Sequence, residues 1–292
     1  MKNKEPIKIG IIGGSGLYNM RDLQEVREIA VHTPFGNPSD KLITGRISGI
    51  RCVFLPRHAR GHRILPSEIN QRANIYALKS LGVEQILSVG AVGSLKEELA
   101  PRHFVFPDQL VDETKGRTPT FFGQGIVAHV SWEEPFCHDL SQLLYETSSP
   151  MGVPSHLGGT YICMEGPQFS TRAESEYHRK MGYSIIGMTA SPEAKLAREA
   201  EICYATVALV TDYDAWKEGE EVSVEKVVEN LQANINNVQR LILQALPKMI
   251  VRSKTCDCGQ SMRHAVFTQP GAMNKATYKK LKLLIGNYVK PK

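Results

Sequence analysis

The chain has 292 residues, of which 42% are hydrophobic and 22% are charged, and its formal net charge is +5. This composition is typical of a globular protein, and the length indicates one large domain or two smaller ones. No apolar run approaches the roughly 20 residues that cross a bilayer, residues 1–6 lack the apolar core of a signal peptide, and the basic residues are too scattered for a typical nucleic-acid surface. We therefore expect a cytoplasmic protein that binds neither membranes nor nucleic acid.

Short runs rich in valine and isoleucine, bounded by glycine, proline or polar residues, predict strands along the chain. These runs cover residues 7–12, 42–47, 51–55, 85–89, 104–111, 160–164, 184–188 and 205–211. Start signals and apolar periodicity between them predict helices at 66–81, 135–148, 171–181, 192–200 and 222–249. Strands that alternate with helices predict the α/β fold class, with one mixed, largely parallel twisted β-sheet flanked by helices in a single domain.

The C-terminal part of the chain is set apart by a polar break near residues 248–257. A further helix is predicted after it, at residues 275–289. We therefore expect a main domain of residues 1–250 and a tail of residues 251–292. The tail either belongs to the same domain or makes a contact between subunits.

The first strand runs into a glycine-rich turn, Gly13-Gly14-Ser15-Gly16. Such turns expose backbone N–H groups that can hold phosphate. A dinucleotide site requires the spacing G-x-G-x-x-G, which fails here because Asn19 stands at the last glycine position, and no helix signal follows at once. The turn therefore favours a phosphate or sugar loop over NAD binding, with a tight turn at the end of a strand as an equal alternative.

A basic segment follows the third predicted strand, with Arg57, His58, Arg60 and His62 within six positions. Together these side chains can deliver several donors to one anion, and arginine can do so in bidentate fashion. The position after a strand and before a helix favours an anion site over a solvated basic loop. A metal site is disfavoured because no acidic residue or cysteine lies at ligand spacing.

Two carboxylates, Asp212 and Asp214, come directly after the last predicted strand. Ligands of open α/β sheets bind at the carboxyl ends of the strands. If both carboxylates face one ligand, their charges conflict and one of them holds a proton. A paired acceptor and donor fits the edge of adenine, with one Asp accepting from the amine and the other donating to N7. The alternative is a polar strand-to-helix turn with an N-cap.

The six cysteines divide into two groups. Cys52, Cys137, Cys163 and Cys203 stand alone in apolar surroundings, which predicts buried free thiols. The pair Cys256 and Cys258 forms a C-x-C motif in a polar segment. A disulfide between cysteines two apart is strained and rare in the cytosol, so two free thiols are favoured over a bridge.

Several ordered motifs together resemble the 5′-methylthioadenosine phosphorylases of the trimeric purine nucleoside phosphorylase family. The matching segments are residues 13–16, 33–36, 56–58, 93–95, 164–174, 187–193 and 211–214. The resemblance runs from about residue 7 to 247 and fades in the tail. It implies a nucleoside phosphorylase-like fold. Some archaeal members also carry a C-x-C near the end of the chain, associated with heat stability.

The resemblance implies a site for inorganic phosphate. It would consist of Ser15, Arg57, His58, the backbone at Gly90 and Ala91, and Thr189. Some family members carry Thr at the position of Ser15, and either hydroxyl can donate a hydrogen bond. Some also carry Thr where Gly90 stands here, so one side-chain contact to phosphate would be missing.

The resemblance also implies the residues that bind the nucleoside. Met188 would meet the ribose hydroxyls through its backbone, Phe169 would stack near the base, and Asp212 and Asp214 would bind adenine. The space around the 5′ group would be lined by Val224, Val227 and Val228, with His62 and a neighbouring subunit's His129 nearby. The three valines fall at i, i+3 and i+4 on one helix face, so core packing is the alternative for them.

The implied activity is reversible phosphorolysis of S-methyl-5′-thioadenosine to adenine and 5-methylthioribose 1-phosphate, in methionine and purine salvage. Phosphate is the co-substrate, no metal or organic cofactor is expected, and the family assembles as trimers that can pair into hexamers. The nearest alternative is a purine nucleoside phosphorylase with broader or 6-oxopurine specificity, such as methylthioinosine, which the two aspartates disfavour. A hydrolase or a non-catalytic nucleotide-binding protein are more distant alternatives.

Overall fold

The computed structural model describes residues 6–220 and 223–292, apart from the side chain of Ser15. Within this part of the chain, eleven strands form one sheet. The strands are β1 Ile9–Gly13, β2 Gln24–Ile29, β3 Leu42–Ile47, β4 Ile50–Pro56, β5 Gln85–Ser94, β6 Phe104–Phe106, β7 Gln109–Asp112, β8 Ser155–Leu157, β9 Thr160–Cys163, β10 Ile185–Gly187 and β11 Cys203–Asp212.

The centre of the sheet is parallel and its margins are mixed. Strand β1 lies between β4 and β5 and is parallel to both, and β5 continues in parallel to β11. Strand β10 runs antiparallel to β5 and parallel to β9. The exposed strand β2 forms one edge of the sheet and runs antiparallel to β3. The predicted fold class, a mixed and largely parallel sheet flanked by helices, is confirmed.

Helices cover both faces of the sheet. They are α1 Ser15–Tyr18, α2 Gln71–Ser80, α3 His138–Ser148, α4 Arg172–Lys180, α5 Ala190–Glu199, α6 Val224–Val251 and α7 Lys275–Ile285. Side chains that alternate along a strand enter opposite apolar clusters: Ile9 and Ile11 pack with α3 and α6, whereas Ile12 packs with α2 and α5. Both faces of the central strands are therefore buried, as their nearly continuous apolar sequences require.

The structure differs from the predicted elements at several points, each for a local reason. The run 104–111 is two strands because Pro107 cannot donate to a ladder. The short helix α1 does follow the glycine turn, contrary to expectation. Strands β2 and β8 were not predicted, since β2 is almost wholly exposed and lacks an apolar run, and β8 has three residues. Residue 222, the predicted start of the long helix, lies outside the described residues.

The C-terminal segment packs on the main body of the protein. Met262, Met273, Leu281 and Leu284 are buried in the same apolar cluster as α2 and α5. An isolated bridge pairs Val266 with Ala128. Among the described residues, every helix is too short or too polar to span a membrane.

Among the six cysteines, the expectation of an isolated position is wrong for Cys137 and Cys203. All six are free thiols, but the sulfur atoms of Cys137, Cys203, Cys256 and Cys258 lie within 4.8 Å of one another. These cysteines come from three distant parts of the sequence. They meet because α3 and β11 both begin at one end of the sheet, and α6 leads into the tail at that same end. Arg252 also contacts two of these sulfurs, so their surroundings are not purely apolar.

Candidate active site

Strand β5 runs through the candidate site. In its C-terminal half, Gly90 is partly exposed to solvent and Ala91 is exposed. A methyl group added at Gly90 would lie 3.6 Å from Thr189 Oγ1 and 3.8 Å from Arg57 Nη1. The structure therefore brings Arg57, Thr189 and the backbone of Gly90 to one point. Thr189 precedes α5, and its hydroxyl makes no capping hydrogen bond to the helix. These groups can donate hydrogen bonds to an anion.

The Arg57 side chain is fixed from behind by buried partners. Its Nε and Nη2 atoms donate to Glu193 Oε2 and Oε1 at 2.8 and 2.9 Å. Nη2 also donates to Ser88 Oγ at 2.5 Å, and Nη1 donates to Val89 O at 2.9 Å. The guanidinium has five N–H groups, so one remains on Nη1, the nitrogen that faces Gly90. The ion pair thus positions one donor toward the site.

Burial makes this arrangement electrostatically strong. Arg57 is 3% exposed and Glu193 is fully buried. Although burial opposes its charge, the charge of Glu193 raises the pKa of Arg57 above its usual value. Tyr204 and Ser88 also donate to Glu193 Oε1, at 2.8 Å each. The carboxylate is therefore saturated with donors, which compensates for its burial.

His58 stands beside Arg57, with Nδ1 at 2.9 Å from the carbonyl of Ile64. A carbonyl only accepts, so Nδ1 carries the proton and Nε2 is left to act as an acceptor. Burial lowers the pKa of His58 to about 4, which keeps the ring neutral at pH 7. The exposed His62 stacks on His58, with ring centroids 4.4 Å apart. The backbone of Ser15 begins α1 beside this turn, and its side chain lies outside the described part.

Arg60 does not join this anion site. Its guanidinium donates to Asp40 through Nε and Nη2, and it also contacts Glu28. The interpretation that Arg60 contributes to one anion site with Arg57 is therefore wrong. Two acidic neighbours already neutralise it, and the sequence could not show that they come from residues 28 and 40.

The paired aspartates lie where the sequence placed them, at the end of β11. Asp212 is the last residue of the strand, and Asp214 is 4% exposed with a positive φ of 50°. Asp212 Oδ1 accepts from Asp214 N at 2.8 Å, and Oδ2 accepts from Thr211 Oγ1 at 2.7 Å. Burial, together with the Asp214 charge, raises the pKa of Asp212. Asp214 Oδ2 is buried without a hydrogen-bond partner.

The two halves of the site share strand β5. Gly93 pairs with Asp212 at an irregularity in the ladder. A methyl group added at Gly93 would lie 3.0 Å from Asp212 Oδ1 and 3.3 Å from Asp214 Cβ. Gly90 and Gly93 are three residues apart on one strand, a separation of about 10 Å. The anion-binding groups and the pair of carboxylates thus contact the same strand at two positions about 10 Å apart.

Met188, which directly precedes Thr189, is held by a hydrogen bond to its carbonyl. Arg117 donates to the carbonyl of Met188 at 2.7 Å and to that of Ser191 at 2.9 Å. Gly166 has a φ of 69°, and a methyl group there would approach Met188 Sδ to 2.5 Å. Only glycine fits at position 166 without displacing Met188. Phe169 follows in the same loop and is 49% exposed.

The valines of α6 are not part of the core. Val224 and Val228 are 62% and 57% exposed, and Val227 is half-buried. Core packing, the alternative for these residues, is therefore wrong in this chain. The same helix buries its later apolar positions, from Val238 to Met249. Its first turns present exposed valines to the outside.

His129 contacts the C-terminal tail of its own chain. Its backbone N–H donates to Ala265 O at 2.8 Å, and its ring packs edge-on against Phe267 at 5.1 Å. Both side chains are exposed, and Phe267 is 69% exposed. His129 and the tail thus form one surface patch. The sequence offered no signal for this pairing.

Sequence reasoning missed three residues that hold the site together: Glu193, Ser88 and Arg117. Glu193 follows Pro192 and reads as an ordinary acidic residue in the first turn of a helix. A signal existed, because Glu193 interrupts the apolar side of α5 and is fully buried there. Ser88 and Arg117 carry no comparable signal.

Comparisons with known proteins identify the family of this chain. The model of the phosphorylase superfamily matches residues 8–247. An S-methyl-5′-thioadenosine phosphorylase from Geobacter sulfurreducens is 53% identical over 96% of this chain and 99% of its own length. A methylthioadenosine phosphorylase from an antarctic soil metagenomic library superposes with a TM-score of 0.92 at 47% identity, over 96% of this chain and 99% of the other. The Schistosoma mansoni methylthioadenosine phosphorylase in complex with adenine gives a TM-score of 0.82 at 36% identity, over 97% and 99%. The chain belongs to the phosphorylase superfamily, among the S-methyl-5′-thioadenosine phosphorylases.

Proposed function

We propose that this enzyme catalyses the reversible phosphorolysis of S-methyl-5′-thioadenosine to adenine and 5-methylthioribose 1-phosphate. The observation that carries the proposal is the placement of two groups on one strand. Arg57 and Thr189 meet at Gly90, and Asp212 and Asp214 meet at Gly93, about 10 Å along β5. Phosphate at the first position and adenine at the second leave the ribose between them, next to Met188.

Phosphate binds at the Gly90 end. The free N–H of Arg57 Nη1, Thr189 Oγ1 and the backbone at Gly90 and Ala91 donate to its oxygens, with Ser15 as a further donor. His58 is neutral and presents Nε2 as an acceptor. It therefore accepts a hydrogen bond from the protonated oxygen of hydrogen phosphate. The combination of these donors with the acceptor Nε2 of His58 favours hydrogen phosphate over an anion that carries no proton.

Adenine binds at the Gly93 end. Asp214 Oδ2 is a buried acceptor without a donor, and the exocyclic amine of adenine supplies that donor. Asp212 has a raised pKa and, in its protonated form, donates to N7. A 6-oxopurine would place a carbonyl against the Asp214 carboxylate and leave both without a hydrogen. Phe169 lies over the base.

The 5′ substituent binds against the apolar turn of α6. Val224, Val227 and Val228 present methyl groups there, and His62 lies on the side of the anion site. An apolar surface favours a methylthio group over a hydroxyl by about 1–3 kcal/mol. Adenosine is then a poorer substrate and remains an acceptable one.

The reaction follows from these positions. As the bond between C1′ and N9 breaks, the purine gains negative charge and the ribose gains positive charge. Asp212 donates its proton toward N7 and stabilises the leaving base. Phosphate, already oriented by Arg57 and Thr189, stabilises the cation and forms a bond to C1′. The electron pair of the broken bond stays with adenine.

Several properties extend the proposal beyond the single site. Catalysis requires no metal or organic cofactor, because a carboxyl and the co-substrate phosphate supply the chemistry. The enzyme assembles as a homotrimer, which can pair into a hexamer, and His129 enters the 5′ pocket of a neighbouring subunit. The exposed patch of His129 and Phe267 supports such a contact.

The protein works in the cytoplasm in purine and methionine salvage, without nucleic-acid or membrane partners.

The proposal is tested by measuring adenine release from methylthioadenosine with and without inorganic phosphate. Adenosine and methylthioinosine are run beside it under the same conditions. The expected result is phosphate-dependent release that is fastest with methylthioadenosine. Release at the same rate without phosphate would make the enzyme a hydrolase, and preference for methylthioinosine would contradict the role of the two aspartates.

A further inference from the structure

Four cysteines form a cluster at the end of the sheet opposite the active site. Cys137 caps the start of α3, Cys203 begins β11, and Cys256 and Cys258 belong to the C-x-C motif of the tail. Their four sulfur atoms all lie within 4.8 Å of one another, and those of Cys203 and Cys256 are 3.5 Å apart. Three are buried and Cys256 is half-buried.

The spacing of the sulfurs matches a tetrahedral metal site. Zinc binds thiolate sulfur at about 2.3 Å, which places the four sulfurs of a regular tetrahedron about 3.8 Å from one another. Small shifts of side chains would bring all the sulfurs from their present positions to this separation. Four protein ligands leave no open coordination position, which is the arrangement of structural zinc sites.

Cationic groups surround the cluster in a way that favours thiolates. Arg252 Nη2 lies 3.9 Å from Cys137 Sγ and 3.8 Å from Cys203 Sγ, and Arg198 Nη1 lies 3.7 Å from Cys258 Sγ. Four thiolates with one zinc ion carry a net charge of −2, which two guanidinium groups offset. The N-terminus of α3 adds a favourable dipole at Cys137.

The C-x-C motif is held in place by a separate set of hydrogen bonds. Asp139 Oδ2 accepts from Thr255 N at 2.9 Å, from Thr255 Oγ1 at 2.8 Å and from Cys256 N at 2.9 Å. Outer contacts of this kind orient the ligands of metal sites. The carboxylate thus fixes the tail at the point where its first sulfur enters the cluster.

We propose that Cys137, Cys203, Cys256 and Cys258 bind one zinc ion that fastens the C-terminal tail to the sheet. The ion is structural, because Cys203 and Asp212 stand at opposite ends of β11, about 30 Å apart. It anchors the segment from which Met262, Ala265 and Met273 enter the core. This inference does not depend on the substrate of the enzyme.

The experiment measures zinc by mass spectrometry in the full-length enzyme purified under reducing conditions without chelators. The expected content is about one zinc ion per chain in the wild type. The double variant Cys256→Ser/Cys258→Ser should retain below about a tenth of that content. The matched control is Cys52→Ser, which changes a buried thiol in β4 outside the cluster and should retain full zinc.

A second measurement on the wild-type chain covers the case in which the double variant fails to fold. Zinc is exchanged for cobalt, whose thiolate complexes absorb in the near ultraviolet and whose tetrahedral sites absorb strongly in the visible. Both bands are expected. A zinc-free wild type that also fails to bind cobalt would overturn the proposal. So would disulfides that account for the four thiols, or iron bound in place of zinc.

Discussion

Glu193 accepts hydrogen bonds from Arg57 through both carboxylate oxygens, from Nε to Oε2 at 2.8 Å and from Nη2 to Oε1 at 2.9 Å. Both side chains are almost completely buried. The pair explains how one arginine can serve an anion at a sheet edge while remaining inside the protein. Glu193 fixes the plane of the guanidinium, and the remaining N–H on Nη1 then faces Gly90.

The variant Glu193→Gln tests this relationship. Removing one charge from a buried pair leaves the other uncompensated, and such changes cost about 3–5 kcal/mol, less where the amide retains one hydrogen bond. We expect a lower melting temperature and a raised KM for phosphate, with a smaller change in the KM for the nucleoside. The control Glu25→Gln breaks a surface pair whose carboxylate is 66% exposed and should cost at most about 1 kcal/mol. Equal effects on both KM values would contradict the assigned role.

The variant Asp212→Asn tests the proton donor. Loss of a general acid lowers kcat by roughly 10²- to 10⁴-fold. In the wild type, burial raises the pKa of Asp212, so the donating form is present below that pKa and kcat/KM falls as the pH rises through it. The variant should lose this limb of the pH profile. Asp22→Asn, at an exposed position, should leave the profile unchanged. An unaltered rate in Asp212→Asn would remove Asp212 from the mechanism.

The variant Val228→Thr tests the apolar 5′ pocket. Threonine keeps the shape of valine and replaces one methyl group with a hydroxyl, so the ratio of kcat/KM for methylthioadenosine to that for adenosine should fall roughly tenfold. Because Val228 is 57% exposed, stability should change by less than about 0.5 kcal/mol. Val26→Thr, an exposed valine on β2, provides the comparison and should leave the ratio constant. An unchanged ratio in Val228→Thr would place the 5′ group elsewhere.

Glu199 predicts a pH-dependent stability that is separate from catalysis. Its carboxyl is buried between Thr120 and Phe121 N, and burial raises its pKa from 4.5 to about 7. A raised pKa means that the folded state holds the proton more tightly. The associated stability is complete below pH 4.5 and is lost as the pH rises to about 7, by about 3 kcal/mol at most.

The free energy of unfolding at pH 5 and pH 8 measures this effect. We expect the wild type to be less stable at pH 8 through this group, and Glu199→Gln to show a smaller difference between the two pH values. A difference of the same size in both proteins would show that other groups dominate.

The sequence located the residues proposed to act on the substrate better than the residues that hold them in place. Asp212 and Asp214 follow an unmistakable buried strand, so their place at the edge of the sheet could be read directly. Arg57 also follows a strand, but its partner Glu193 is 136 positions away and reads as a helix start. The valines of α6 were ambiguous because helical periodicity does not tell an internal face from the wall of a pocket. The exposure of Val224 and Val228 excludes core packing, and their place in the wall of the 5′ pocket stays a prediction.

The cysteines show the limit of local patterns. Cys137, Cys203 and the C-x-C motif are more than 50 residues apart in sequence, and none has a ligand at the spacing of a known metal motif. Only the topology, which starts α3 and β11 at the same end of the sheet, brings them together. The prediction that Arg60 joins the anion site was wrong for the same reason. Its acidic partners, Glu28 and Asp40, lie on another strand and in a loop.

The central claim is that phosphate, and not water, forms the new bond at C1′. The most direct measurement is to run the reaction on methylthioadenosine with unlabelled phosphate in oxygen-18 water and to analyse the sugar product by mass spectrometry. We predict 5-methylthioribose 1-phosphate without label at C1. Free methylthioribose carrying oxygen-18 at C1 as the initial product would contradict the claim.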